Sequence, residues 1–200
     1  MSILDWTTLR QVAGQGYGDG IVCLATIAVV ERSNRTEVIA PLEDEEAGRA
    51  AKLLIDGALF RLQMFVVRAF GIVRKDDRHL RAAIEFLERP GRLDEERWPE
   101  RRADLEEAIR LFKQVASDPA LDRLKHLRDK QLAHFSEMKP QFPLPTYDDL
   151  FGVTRKTAEV WEKLSFGAGT VLIKLDHQID AYRESAEAFW GKWDGGALCR

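Results

Sequence analysis

Two residues past the middle of the sequence have the types that chemistry on an anion requires. Arg128 and His134 stand in "LRDKQLAHF", Leu127 to Phe135. A guanidinium is a permanent cation whose planar fork grips a phosphate through two parallel hydrogen bonds. An imidazole is the usual carrier of a proton near neutral pH. Together they offer anion binding and proton transfer without a metal.

The helix that must carry them is legible. Ser117 or Asp118 supplies an N-cap and Pro119 the first helical position. The segment ends before Pro140, because the residue preceding a proline avoids the α region. At about 100° per residue, Leu121, Leu124, Leu127, Leu132 and Phe135 fall on one side. Arg128 lies four residues from both Leu124 and Leu132, so the spacing puts it inside that stripe. His134 follows six residues later, about 120° around the axis, at the edge of the stripe in the final turn. The helix C-terminus favours its protonated form, while Lys130, one turn back, disfavours it.

A buried cation is costly unless it is paired. Two arrangements satisfy Arg128. In one, a carboxylate on a neighbouring helix holds it, or its stem packs while its head escapes. In the other, the stripe is the wall of a cleft and the guanidinium points into it.

The surrounding elements also read as helix. "GQGYGDG" (Gly14 to Gly20) breaks the chain, and Asp19 caps a buried helix from about Gly20 to Ser33. The β-branched residues of that run also suit a strand, but no second strand-like run offers a partner. Pro41 opens a long helix, acidic in its first turn, with Leu54, Ala58, Leu62, Phe65 and Ala69 as the spine of the core. Arg61 and Arg68 flank that stripe and snorkel or pair. A shorter charged helix covers Asp76 to Arg89 and stops at "RPGR". Pro99 to Ala116 turns Leu105, Ile109, Phe112 and Ala116 to one face. After the proline-rich "KPQFPLPTY", Gly152 or Val153 starts a helix through Leu164. A last helix runs from about Gly169 to Trp193, with Val171, Leu175, Ile179, Tyr182, Ala186, Phe189 and Trp193 on one side. There is no internal repeat. The expected fold is all-α: a bundle of four to five core helices with short additional ones.

Composition sets limits on function. Two hundred residues with 45% hydrophobic and 32% charged side chains suit one domain, residues 1–200, with 1–20 a loosely placed N-terminal segment. The net charge of -3 means that nucleic-acid binding would rest on a local basic patch. Cys23 and Cys199 form no metal or disulfide framework, so a reducing cytoplasm is expected. The run Ile21 to Val30 is too short to span a bilayer, and no membrane association is expected. Asp176, His177 and Asp180 are too few for a metal, and no cofactor is implied. "GQGYGDG" lacks the Lys-Ser/Thr of a phosphate loop. His79 and His126 lie among charges and read as exposed; Trp161, Trp190 and Trp193 read as core or dimer interface.

Arginine, a polar residue, four more positions and then histidine, on a late helix of an all-α chain, resembles the RNase motif of the HEPN superfamily. Arg128, Asp129 and His134 supply it, with five residues between Arg and His. The wording "LRDKQLAH" is most similar to the abortive-infection branch. The resemblance covers the motif tightly and Pro41 to Trp193 loosely; the charged stretch from Asp76 to Arg102 and the first twenty residues fall outside it. It implies a homodimeric helical bundle that cuts RNA without a metal, in a toxin–antitoxin or phage-defence setting, with an antitoxin or regulatory protein as partner. Arg128 would hold the scissile phosphate, His134 would move protons to or from the ribose 2′-hydroxyl or the leaving oxygen, and Asp129 would orient one of them. Lys130, Lys125 and Arg123 would form a basic rim for the RNA backbone. The acidic net charge and the single His of the motif also suit a non-catalytic module that binds a nucleotide or a protein.

Overall fold

Asp5 begins the fold by capping a helix, its carboxylate accepting from the Thr8 N–H at 2.7 Å. That helix, α1, runs from Trp6 to Ser33 without a break at the glycines. In the computed structural model, residues 4–43, 46–74, 77–132 and 143–193 are described. They form α2 (Thr36–Glu43), α3 (Glu46–Ala69), α4 (Leu80–Leu87), α5 (Pro99–Ala116), α6 (Pro119–Leu127), α7 (Tyr147–Gly167) and α8 (Leu175–Trp190). A 3₁₀ turn, Leu93–Glu95, precedes α5, and a π turn, Arg128–Leu132, follows α6. No strand occurs among the described residues.

The continuity of α1 corrects the expectation of a break at Gly14 to Gly20, and Asp19 is not a cap. Isolated glycines weaken a helix by about 1 kcal/mol each relative to alanine. Packing overrides that cost here. A Cβ on Gly16 would sit 2.2 Å from the Trp161 ring, so only glycine lets α7 lie this close. Ser165 Oγ donates to the Ala13 carbonyl at 2.8 Å, and Tyr17 Oη donates to the Ile173 carbonyl at 2.7 Å. Leu9, Val12, Ala13, Cys23, Ile27 and Val30 are buried along the same helix. Thus Ile21–Val30 is neither a strand nor a short apolar run. It belongs to a 28-residue helix long and apolar enough to cross a membrane, whose inward face is part of the core.

Other boundaries moved for similar reasons. Pro41 lies inside α2 rather than opening the long helix, because Val38 and Leu42 are buried in a small cluster with Trp190. The long helix begins at Glu46. Its stripe is only half a spine: Leu62 and Ala69 are buried, but Leu54 is 69% exposed. The central elements are instead α1, α5 and α7. The expected Asp76–Arg89 helix is the shorter α4, and it is the most deeply buried: only Arg81 and Glu85 are not fully enclosed. His79, expected at the surface, is buried, and His126 is half-buried.

Helix α7 starts at Tyr147, five residues before Gly152, because Thr146 and Asp149 form a reciprocal capping box. It ends where Gly169 adopts φ +68° and donates to the Phe166 carbonyl at 2.9 Å. Gly169 therefore closes α7 and does not open the last helix, which starts at Leu175 and stops at Trp190. Leu175, Ile179 and Ala186 of its stripe are buried; Tyr182 and Phe189 are about half exposed. The Pro99–Ala116 helix and the Asp118–Pro119 start of α6 stand where the spacing puts them.

Candidate ribonuclease-motif site

Helix α6 is clamped on three sides, and the clamps aim its last turn. Asp118 caps it, accepting from the Ala120 N–H at 3.0 Å, and also accepts from Lys156 Nζ of α7 at 2.8 Å. Arg123 reaches the first turn of the same helix, α7. Its Nε and Nη2 donate to the two carboxylate oxygens of Asp149 at 3.0 and 2.5 Å. This bidentate fork holds the Asp149 carboxyl below the usual carboxylate range, and the Lys156 hydrogen bond does the same for Asp118. On the third side, Gln63 Nε2 of α3 donates to the Leu124 carbonyl at 3.1 Å. Leu121 and Leu124 are buried beneath these contacts.

At Arg128 the ladder changes to a π turn over Arg128–Leu132. Such a turn has i→i+5 bonds and shifts the register, so 100° counting from Leu124 no longer places the side chains that follow. Arg128 is consequently neither sealed in the stripe nor locked to a distant helix: its side chain is 34% exposed. Its Nε donates to Asp129 Oδ1 at 2.7 Å, and Nη2 donates to the same oxygen. Arg128 has five N–H donors. Among the described residues, those not engaged by Asp129 make no hydrogen bond. Arg128 and Asp129 are thus together. His134 lies outside the described residues, so its position relative to them is not a structural observation.

The rim residues differ from one another. Arg123 is committed to Asp149. Lys125 is half-buried, and its ammonium is pushed below the usual range, first by burial and also by the charges of Arg81 and Arg128, with Asp122 and Asp129 opposing. Lys130 is half-buried beside the pair. Arg81 is the residue that sequence reading missed. It comes from α4, donates through Nη2 to the Phe70 carbonyl at 3.3 Å and lies 5.4 Å above the Phe112 ring. The available signal was its place on a short helix whose other residues, apart from Glu85, are apolar.

A groove of about 530 Å³ opens beside this turn, between α3, α6 and the start of α7. Leu127, the residue before Arg128, forms part of its wall. Phe60 and Tyr147, both about half exposed, line it and present aromatic surface. Among the described residues, no cluster of three or more His, Cys, Asp or Glu could hold a metal ion.

Comparison with known proteins identifies the family. The model of the family HEPN_AbiU2, described as AbiU2, matches residues 15–189, from within α1 to the end of α8. No curated protein and no solved structure matches.

Proposed function

The chain belongs to the HEPN_AbiU2 family, an Abi-associated HEPN branch, and from that premise we propose that it is a metal-independent endoribonuclease acting in the cytoplasm as a toxin or phage-defence effector. The observation that carries this reading is the Arg128–Asp129 pair. It stands partly exposed on the π turn, with guanidinium donors that no described residue engages. In the proposed reaction Arg128 holds the scissile phosphate and stabilises its developing charge, and Asp129 keeps the guanidinium oriented. His134 takes the proton of the ribose 2′-hydroxyl as that oxygen attacks the adjacent phosphorus, or returns one to the leaving 5′-oxygen.

One imidazole per chain is sparse for a reaction that needs both an acid and a base. A two-fold dimer brings a second motif into the same cleft. The first half of α3 supports self-association, since Leu53 and Leu54 are 73% and 69% exposed on one helix. Lys125 and Lys130 carry the RNA backbone beside Arg128. Arg123 contributes its field while holding α7. Phe60 and Tyr147 supply faces on which bases stack. An antitoxin or regulatory protein is the expected partner.

Purified protein incubated with mixed RNA in EDTA tests the reading, beside His134→Ala and Arg128→Ala. Removing the proton carrier should slow cleavage about 10²–10⁴-fold. Equal rates for all three proteins, or cleavage that requires added metal, defeat the proposal.

A further inference from the structure

Lys125 stands one turn before Arg128. The Arg128 N–H bonds back to the Leu124 and Lys125 carbonyls, so the chain is still helical between the two and their side chains are neighbours on one face. Lys125 is half-buried, and among the described residues its ammonium makes no hydrogen bond and no ion pair. Lys163, half-buried on α7, shows the ordinary arrangement: its Nζ donates to Asp104 Oδ1 at 2.9 Å, and that bond raises its pKa. Other cations also lack carboxylates. A cleft of about 300 Å³ between α1, α3 and the residues leading into α4 is lined by Arg61, Arg68 and Arg78, and none of these makes an ion pair among the described residues. All three are exposed, so water serves their donors. Lys125 is partly withdrawn from water and still unpaired.

Charged groups from two parts of the bundle meet at Lys125. Asp122, Arg128 and Asp129 come from α6 and its π turn, and Arg81 comes from α4. Arg81 is aimed by its own contacts, the Phe70 carbonyl and the Phe112 ring. Burial, the largest effect, lowers the Lys125 pKa; Arg81 and Arg128 add to it, while Asp122 and Asp129 oppose it. A lysine so placed gives up its proton more readily than a solvated one. Enzymes tune lysine in this way for proton transfer.

We propose that Lys125 is a second catalytic residue of the RNA cleavage, the acid that protonates the leaving 5′-oxygen of the phosphate held by Arg128. The inference rests on the nuclease reading and assigns within it a role for a residue outside the motif. The 2′-oxygen bonds to phosphorus as its proton leaves to the base, His134 in that reading. The bond from phosphorus to the 5′-oxygen breaks, and the departing electron pair takes a proton from Lys125 Nζ. The products are a 2′,3′-cyclic phosphate end and a 5′-hydroxyl end. Water then returns a proton to Lys125 and removes the one on the base. One chain thereby supplies both an acid and a base, the need that a single imidazole leaves open.

The test uses the full chain and an RNA oligonucleotide that it cleaves, synthesised with either oxygen or sulfur as the bridging 5′ atom of the cleaved linkage. A thiolate leaves without a proton, because a thiol is far more acidic than an alcohol. Lys125→Met should slow cleavage of the oxygen-linked RNA about 10²–10⁴-fold, and of the sulfur-linked RNA by less than about tenfold. Lys125→Arg should slow the oxygen-linked RNA as Lys125→Met does, because a guanidinium keeps the charge but does not give up its proton. Arg128→Ala should slow both RNAs. The kcat of the parent should fall on the alkaline side, below the free lysine value of about pH 10.4, and Lys125→Arg should lack that limb. Circular dichroism and thermal melts establish that each variant is folded; if Lys125→Met does not fold, Lys125→Arg decides. The proposal is overturned if Lys125→Arg cleaves the oxygen-linked RNA like the parent, which would make Lys125 a charge for the backbone only, or if the folded Lys125 variants slow both RNAs equally. A parent that cleaves no RNA overturns the nuclease reading and this inference with it. A parent that cleaves, and loses activity with Arg128→Ala but not with Lys125→Arg, overturns this inference alone.

Discussion

The turn after α6 and the cleft beside α1 are both rich in arginine, and they treat it in opposite ways. At the turn, each arginine of α6 and its extension has a carboxylate: Arg123 has Asp149 and Arg128 has Asp129. At the cleft, Arg61, Arg68 and Arg78 have none among the described residues. Pairing fixes a guanidinium in place and spends some of its donors. That suits a group that must be oriented for a reaction or must hold two helices together. Leaving guanidinium groups without a carboxylate keeps a local positive field at the cleft. The two regions therefore differ in whether their guanidinium groups carry carboxylate partners among the described residues, although composition alone makes them look alike.

The largest effect that can break this contrast is on RNA cleavage. Arg128→Ala should lower the rate about 10²–10³-fold, the range for loss of one donor to a developing oxyanion, and Arg68→Ala should leave it unchanged. Gel-based cleavage time courses read both. If Arg68→Ala abolishes cleavage as well, the two regions form one site and the contrast fails.

Stability offers a smaller and independent comparison. Arg123→Ala removes a partly buried fork that ties α6 to α7 and should cost about 1 kcal/mol in urea melts. Asp118→Ala should cost a similar amount, about 1 kcal/mol, by removing the N-cap of α6. Arg68→Ala removes no ion pair and should fall within about 0.5 kcal/mol of the parent. A destabilisation by Arg68→Ala equal to that of Arg123→Ala would mean that the cleft arginine is structural.

The smallest effect is a pH slope. Asp149 and Asp118 are held below the usual carboxylate range in the fold. Their contribution is fully present above the unfolded value of about 3.9 and is lost as pH falls through the lower folded value. Stability should therefore decline on acidification below about pH 4, and Arg123→Ala should flatten part of that decline. Parallel melts of the two proteins from neutral to acidic pH measure it. An unchanged slope would remove Asp149 from the account.

Much of the framework could be read from residue spacing because local chemistry dictates it. Asp118 followed by Pro119 is a helix start in almost any context, and Pro99–Ala116 carries its apolar face at regular steps. Where the reading failed, a distant partner decided. Gly14 to Gly20 looks like a break until Trp161 is placed against Gly16. Gly169 looks like a helix start until its positive φ closes α7. His79 looks exposed because its neighbours in sequence are charged, but α4 carries it inward with Leu80 and Ile84. The candidate site shows the same division. Arg128 and Asp129 are candidates from type and spacing alone, whereas Arg81, whose charge acts on Lys125, arrives from α4, forty-seven positions before Arg128 in the chain.

By itself, the sequence determined that this chain is helical, where α5 and α6 begin, and that an arginine with HEPN-type spacing to a histidine follows a capped helix. Those properties depend on groups within a few residues of each other, so no folding partner is needed to infer them. Only the tertiary structure decided which arginines keep carboxylate partners and which surround an open cleft. Arg128 finds its carboxylate in the next residue, but Arg123 takes Asp149 from α7, and spacing along α6 carries no record of that partner.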